Sequence, residues 1–181
     1  ARLREGKASV IERLSTSQTE IGVFTAEEVY DLALKGDVLI RGWGSTLLLR
    51  AVPHIPCVRV CAPFEDRVKS LMQRLDTDDE AFIRDEIERS DEAHAAAMQA
   101  RFHVKWGDPL LYDLTLNTGR VAIASCVEQV IALARRPEFQ ESDASRAKLG
   151  SLALEARVRA AFVAHDATAN VEVTVIAEGD R

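Results

Sequence analysis

Apolar residues along this chain recur at helical spacing towards both ends and gather into short continuous runs between them. Leu3, Val10, Ile11 and Leu14 share one helical stripe, which predicts an amphipathic helix over 3–14 that ends in the polar run "STSQT". Thr25 followed three residues later by Glu28 has the form of a capping box, and Lys35-Gly36 supplies a cation and a left-handed stop, so a second helix is expected over 26–34. The runs "DVLI" (37–40) and "CVRVCA" (57–62) are almost continuously apolar, as strands covered on both faces are, and each precedes a helical pattern. That order predicts a parallel sheet.

After Pro63, the residues Phe64, Val68, Leu71, Met72 and Leu75 lie on one stripe, with Arg67 and Arg74 one helical face away. Thr77 and Glu80 form a second capping-box pattern that opens a long acidic helix over about 78–100. "PLLYDLTL" (109–116) reads as a third strand broken by Asn117-Thr118-Gly119, and "VAIASCVEQVIALARR" (121–136) as a helix stopped by Pro137, its arginines at the negative end of the dipole. The expected fold is α/β, a doubly wound and mostly parallel sheet, over residues 1–136. Residues 137–150 are polar and read as a linker. Residues 151–181 then form a small α+β segment, with a helix carrying Leu152, Val158, Ala161 and Phe162 and an alternating strand "VEVTV". A lone strand needs a partner from further chain or from a second copy, so homo-oligomerisation through this strand is one expectation.

Composition narrows the function. Of 181 residues 47% are hydrophobic and 29% charged, ordinary for a globular protein, and the formal charge of −6 argues against wrapping a nucleic-acid polymer. The apolar runs are strand-sized, short of the roughly 20 residues that span a bilayer, and none of them reads as a signal peptide. Cys57, Cys61 and Cys126 are an odd set. The first two would lie on one strand face about 13 Å apart, too far to bond, and a reducing cytoplasm fits them. The chain starts with Ala1 and stops after "NVEVTVIAEGDR", which reads as a piece of a longer protein.

Several motifs bear on chemistry. "GDVLIRGWGSTLLLR" (36–50) presents a strand, a glycine loop and a helix start, a geometry that suits an anion at Gly42, Gly44 and Ser45, although a plain tight turn has the same pattern. No G-x-x-x-x-G-K-[ST] phosphate loop occurs; "EGKAS" (5–9) follows no strand. "DEAH" (91–94) sits within the acidic helical run, where a solvated face is its plain reading, and no second Glu-x-x-His accompanies it to complete a metal site. Neither Ser45 nor Ser125 lies in G-x-S-x-G, and His54, His103 and His165 follow no metal-ligand spacing. Arginine stands out: Arg41, Arg59, Arg67 and Arg74 gather near the carboxyl ends of the expected strands, where open α/β sheets bind ligands. Either they await a phosphate or they pair with the acidic helix at 78–92.

With these residues in place, the chain resembles the cytidylate kinase-like family of P-loop nucleoside monophosphate kinases. The resemblance rests on "GDVLIRGWGSTLLL", "VRVCAPFEDRV", "EIERSDEAH" and "FHVKWGDPLLYDLTLNTGRV", in family order across residues 22–136. From about residue 143 the tail resembles the opening helix and strand of a BON domain. The resemblance implies an ATP-binding P-loop with Mg, an arginine-rich lid and a site for CMP or dCMP, with catalysis by positioning and charge neutralisation. It assigns Arg67 to the helix leading into the lid, Asp91 and Arg101 to the lid, and Tyr112, Asp113, Asn117 and Thr118 to the strand and turn closing the site. Arg41, Gly42, Gly44, Ser45 and Arg74 are the expected phosphate neighbours.

The chain departs from the family pattern in three places. "IRGWG" puts Arg41 one place before the family's Gly-Arg-Gly position, His94 stands where the lid carries an arginine, and the P-loop half is missing. The expectation is therefore a nucleotide-binding domain that transfers phosphate only in a chain with its P-loop. The alternative is an inactive kinase-derived module that binds a phosphorylated ligand or a partner and acts through its tail.

Overall fold

The computed structural model describes residues 10–177 apart from 43, 166, 170 and 172, and only the backbone of 10–21. Two compact units divide it: one runs to Arg41 and resumes at Ser142, the other is Gly42–Glu141.

In the first unit helix α1 (Val10–Leu34) packs on helix α6 (Asp143–Ala164). Leu34 shares a groove with Asp143 to Leu154, and Asp31 accepts from the Arg157 guanidinium at 2.8 and 3.0 Å, so the helices run antiparallel. The α6 face carries Leu149, Ala153, Ala156 and Ala160, buried at i, i+4, i+7 and i+11, whose small side chains admit α1 closely against Val29 and Tyr30.

α1 corrects the sequence reading. "STSQT" does not end a helix, because without Gly or Pro its residues cost only tenths of a kcal/mol each in a helix interior, roughly 0.7 at most. Thr25 and Glu28 accordingly lie mid-helix; residues 3–9 of the expected first helix fall outside the described residues. The polar stretch expected as a linker holds a single 3-10 turn, Pro137–Phe139, and then the first turns of α6. Its start is a reciprocal capping box, with Ser142 Oγ accepting from Ser145 N and Ser145 Oγ from Ser142 N. "VEVTV" forms no strand among its described residues. Residues 173–177 run back along α6, where Val175 O accepts from Arg159 and Ala177 N donates to Glu155.

The stretch "DVLI" is not a strand either. Gly36 (φ 69°) and Asp37 (φ 49°) both turn left-handed at the end of α1, and Val38 and Leu39 emerge exposed, Leu39 by 87%. Without a neighbouring ladder an apolar run has no reason to extend.

The second unit is a parallel βαβ arrangement. Strand β1 (Val58–Cys61) lies beside β2 (Leu114–Asn117), Val58 opposite Leu114 and Cys61 opposite Asn117; helices α3 (Phe64–Leu75) and α4 (Glu80–Phe102) form the crossover. Val68, Ile83 and Ile87 make its core, with Phe64, Leu71 and Met72 against them, as the apolar stripe predicts. The helix cap does not follow that stripe's sequel. Thr77 Oγ1 accepts from Asp79 N, and Asp79 rather than Thr77 caps α4, through Phe82 N at 3.0 Å. A short helix α2 (Ser45–Leu49) precedes β1, a 3-10 turn (Pro109–Leu111) takes the place of the expected first half of the third strand, and α5 (Ile123–Ala134) follows β2. Val60 is 63% exposed, so β1 is not covered on both faces among the described residues. The fold is helix-rich mixed α/β with a two-stranded parallel sheet, compatible with an incomplete α/β kinase-like fold. Among the described residues no helix is long and apolar enough to cross a membrane.

Candidate functional site

Arg67 projects from the first turn of α3 and Asp91 from the middle of α4. The two close as a fork, Nη1 to Oδ2 at 2.6 Å and Nη2 to Oδ1 at 2.7 Å. Those hydrogen bonds hold the Asp91 carboxyl below its ordinary value, reinforced by the positive field of Arg67 and, less, of Arg59. One helical turn on, His94 donates Nδ1–H to Ser90 O at 2.8 Å, since a carbonyl can only accept. Its ring stacks on Trp106, centroids 5.0 Å apart and 8° from parallel. Burial pushes the His94 imidazole below its usual pKa, which keeps it neutral at physiological pH.

Trp106 gathers the remaining groups. Its carbonyl oxygen accepts from Arg59 Nη1 at 2.5 Å and from the Tyr112 hydroxyl at 3.1 Å. The Arg59 guanidinium lies 4.9 Å from the Trp106 ring centre and 5.5 Å from that of Tyr112, within cation–π range of both. Arg59 comes from β1, Trp106 and Tyr112 from the loop entering β2, Arg67 from α3, and Asp91 and His94 from α4. The first strand, both crossover helices and the loop into β2 therefore contribute.

The other expected site residues divide among separate places. Asp113 exchanges hydrogen bonds with Cys57, its N donating to Cys57 O at 2.8 Å and its Oδ2 accepting from Cys57 N at 2.7 Å, which extends the ladder. Burial, with the Asp113 carboxylate as second cause, pushes the Cys57 thiol up to about 11. Asn117 and Thr118 build the turn after β2. Asn117 Oδ1 accepts from Gly119 N, and Thr118 donates both N–H and Oγ1–H to Cys61 O. Gly119 there is pressed against Pro63 and Asp66 at the start of α3.

Gly44 (φ 82°) faces Phe102 and Met98 at the far end of α4, and the buried Ser45 donates its hydroxyl to Gly42 O at 2.9 Å. The glycine loop is thus a packed turn with its hydroxyl already engaged. Arg101 stands about 15 Å along α4 from Asp91, over the Phe102 ring, with partial burial lowering its pKa. Arg74 is exposed on the last turn of α3, and Arg41 is exposed in the irregular segment after α1.

Of the expected catalytic residues, the fold joins Arg67 to Asp91 and leaves Arg101 apart. Arg59 and Trp106 bring Tyr112 to the same cluster. Trp106 is the participant that sequence reasoning missed as a site residue; its place in W-x-D-P was the only signal. Arg67 also settles one half of the arginine question, because it does pair with the acidic helix.

The sequence contains no G-x-x-x-x-G-K-[ST], and the Ser45 hydroxyl donates to Gly42 O, so the lysine and hydroxyl of an ATP phosphate loop are not supplied by these residues. What the cluster can do is receive an anion beside aromatic surfaces.

A parallel βαβ unit with arginines from strand and crossover helix beside a long acidic helix is compatible with a kinase-like α/β fold. Residues 3–120 match the family model described as the Cytidylate kinase-like family, and the chain belongs to that family. No curated protein and no solved structure matches the chain.

Proposed function

We propose that this domain binds a nucleoside monophosphate, CMP or dCMP, or a closely related phosphorylated ligand, at the Arg59, Arg67, Asp91 and Trp106 cluster. The observation that carries the reading is the meeting, inside the family-matched stretch, of the Arg67–Asp91 fork with the Arg59 guanidinium held against Trp106 and Tyr112. Phosphoryl transfer from ATP is expected only of a chain that also carries the P-loop lysine and hydroxyl, since these stabilise most of the charge that develops in the transition state. In such a chain Arg67 and Asp91 would order the lid, while Asn117 and Thr118 hold the turn that closes the site.

A second reading, a kinase-derived module that binds ligand without transfer, is favoured by His94. A neutral imidazole stacked on Trp106 gives a transferring phosphate far less than an arginine would. Whether the tail then relays the signal as a BON-like segment belongs to this reading.

Thermal unfolding of the chain with CMP, dCMP, AMP, ATP and inorganic phosphate tests both, because a ligand bound only by the folded state must raise its stability. A rise selective for CMP or dCMP and reduced in Arg67→Ala supports the proposal, with Arg135→Ala, an exposed arginine at the end of α5, unaffected as the control. The absence of any nucleotide-dependent shift would overturn it.

A further inference from the structure

We propose that Arg59, and not Arg67, is the guanidinium that takes the phosphate of the bound ligand. The proposal rests on the nucleotide-binding reading and assigns its anion contact. Arg67 spends two N–H donors on Asp91, so the pair is neutral and its fork is full. Arg59 is half-buried, yet its partners are all uncharged: the Trp106 carbonyl and the faces of Trp106 and Tyr112.

None of the neighbouring carboxylates forms an ion pair with Arg59, and Asp91 reaches it only through its field. Asp91 is forked by Arg67, Asp113 accepts from Cys57 N, and Asp108, in the loop that carries Trp106, accepts from Leu110 N. Arg59 is thus the guanidinium of the group that has no ion-pair partner among the described residues. An anion that gives a partly buried guanidinium a direct partner is bound the more tightly for it.

The orientation is fixed as well. One donor is anchored on the Trp106 carbonyl, and two rings hold the guanidinium plane, so its other N–H groups remain for a planar, bidentate acceptor. Phosphate monoester oxygens match that fork. Trp106 and Tyr112 are then positioning residues, which aim Arg59 without touching the ligand's phosphorus.

Trp106 also provides the readout. In the full chain carrying Trp43→Phe, Trp106 is the remaining tryptophan, and an anion on Arg59 alters the charge beside its ring. Titration with inorganic phosphate and, separately, with CMP is expected to change Trp106 emission saturably. Arg59→Gln should weaken both by about tenfold or more, Arg135→Gln should leave them unchanged, and Arg59→Lys, which keeps the charge without the fork, should fall between. The Lys variant decides the matter if Arg59→Gln does not fold by circular dichroism.

CMP binding at wild-type strength in Arg59→Gln or Arg59→Lys would overturn this inference and leave the nucleotide reading intact. Phosphate binding through Arg59 with no gain for CMP would support the inference and sink the nucleotide reading. Absence of binding by either probe would overturn both.

Discussion

Replacing Gly119 by alanine should destabilise the Gly42–Glu141 unit, the opposite of what a loop Gly→Ala change normally does. Its φ is not left-handed, so on backbone grounds alanine is admissible there and should stabilise by about 0.4–1 kcal/mol through the unfolded chain. Space decides otherwise. An added Cβ would stand 2.6 Å from Pro63 Cγ, nearer still to Pro63 Cδ, and 2.7 Å from Asp66 Oδ2, whereas carbon contacts settle near 3.5–4.0 Å, roughly.

Neither side can withdraw easily. Pro63 flanks α3, and its carbonyl accepts from Asp66 N and Arg67 N at 3.1 Å each, while Gly119 N is tied to Asn117 Oδ1 at 3.0 Å. Overpacking of this kind costs about 1–3 kcal/mol, which leaves a net loss of about 1–2 kcal/mol. With a urea slope of about 2 kcal/mol/M, the midpoint should fall by roughly 0.5–1 M, followed through Trp106 emission in a Trp43→Phe background. An unchanged or higher midpoint would refute the close approach of the Asn117–Gly119 turn to α3.

The Arg67–Asp91 fork has both side chains 36% exposed, so a double-mutant cycle of Arg67→Gln and Asp91→Asn should give a coupling of only about 1 kcal/mol after solvent screening. Because the Asp91 pKa is depressed on folding, that contribution is complete above the ordinary carboxylate range and is lost as pH falls below it; chemical denaturation at pH 7 and pH 3 reads the difference. The His94 pKa is also depressed, but for a base the sign reverses: the unfolded chain takes up the proton first, so stability should decline as pH drops through about 6.5, and His94→Gln should flatten that slope. Cys57, buried and raised to about 11, should resist iodoacetamide at pH 8 in the folded chain and react once urea unfolds it; rapid labelling in the native state would contradict its placement.

Where sequence and structure agree, the pattern was local and self-sufficient. The stripe from Phe64 to Met72 specifies α3 and its burial, since an amphipathic face needs only one partner, here α4. The parallel pairing of the "VRVC" and "LTLN" runs followed from the helical stretch between them. Where they differ, the deciding term was not local. "DVLI" and "VEVTV" have strand composition, but a strand exists only beside another, and no spacing in either segment says whether a neighbour is present. Thr25 and Glu28 spelled a start that α1 overrides because nothing before them stops a helix. At the site, the Arg67 and Asp91 pairing was legible as charge on two expected helices. The placing of Arg59 against both Trp106 and Tyr112 was not, because it depends on how the loop from His103 folds back towards β1.

The central claim, an anion-receiving nucleotide site in the βαβ unit, is tested most directly by calorimetric titration of CMP into the chain, at low and at high salt. The account predicts a saturable heat of one CMP per chain that weakens as salt screens the guanidinium, and that disappears in the double variant Arg59→Gln, Arg67→Gln. No heat at millimolar CMP, or an isotherm identical in the double variant, would contradict it.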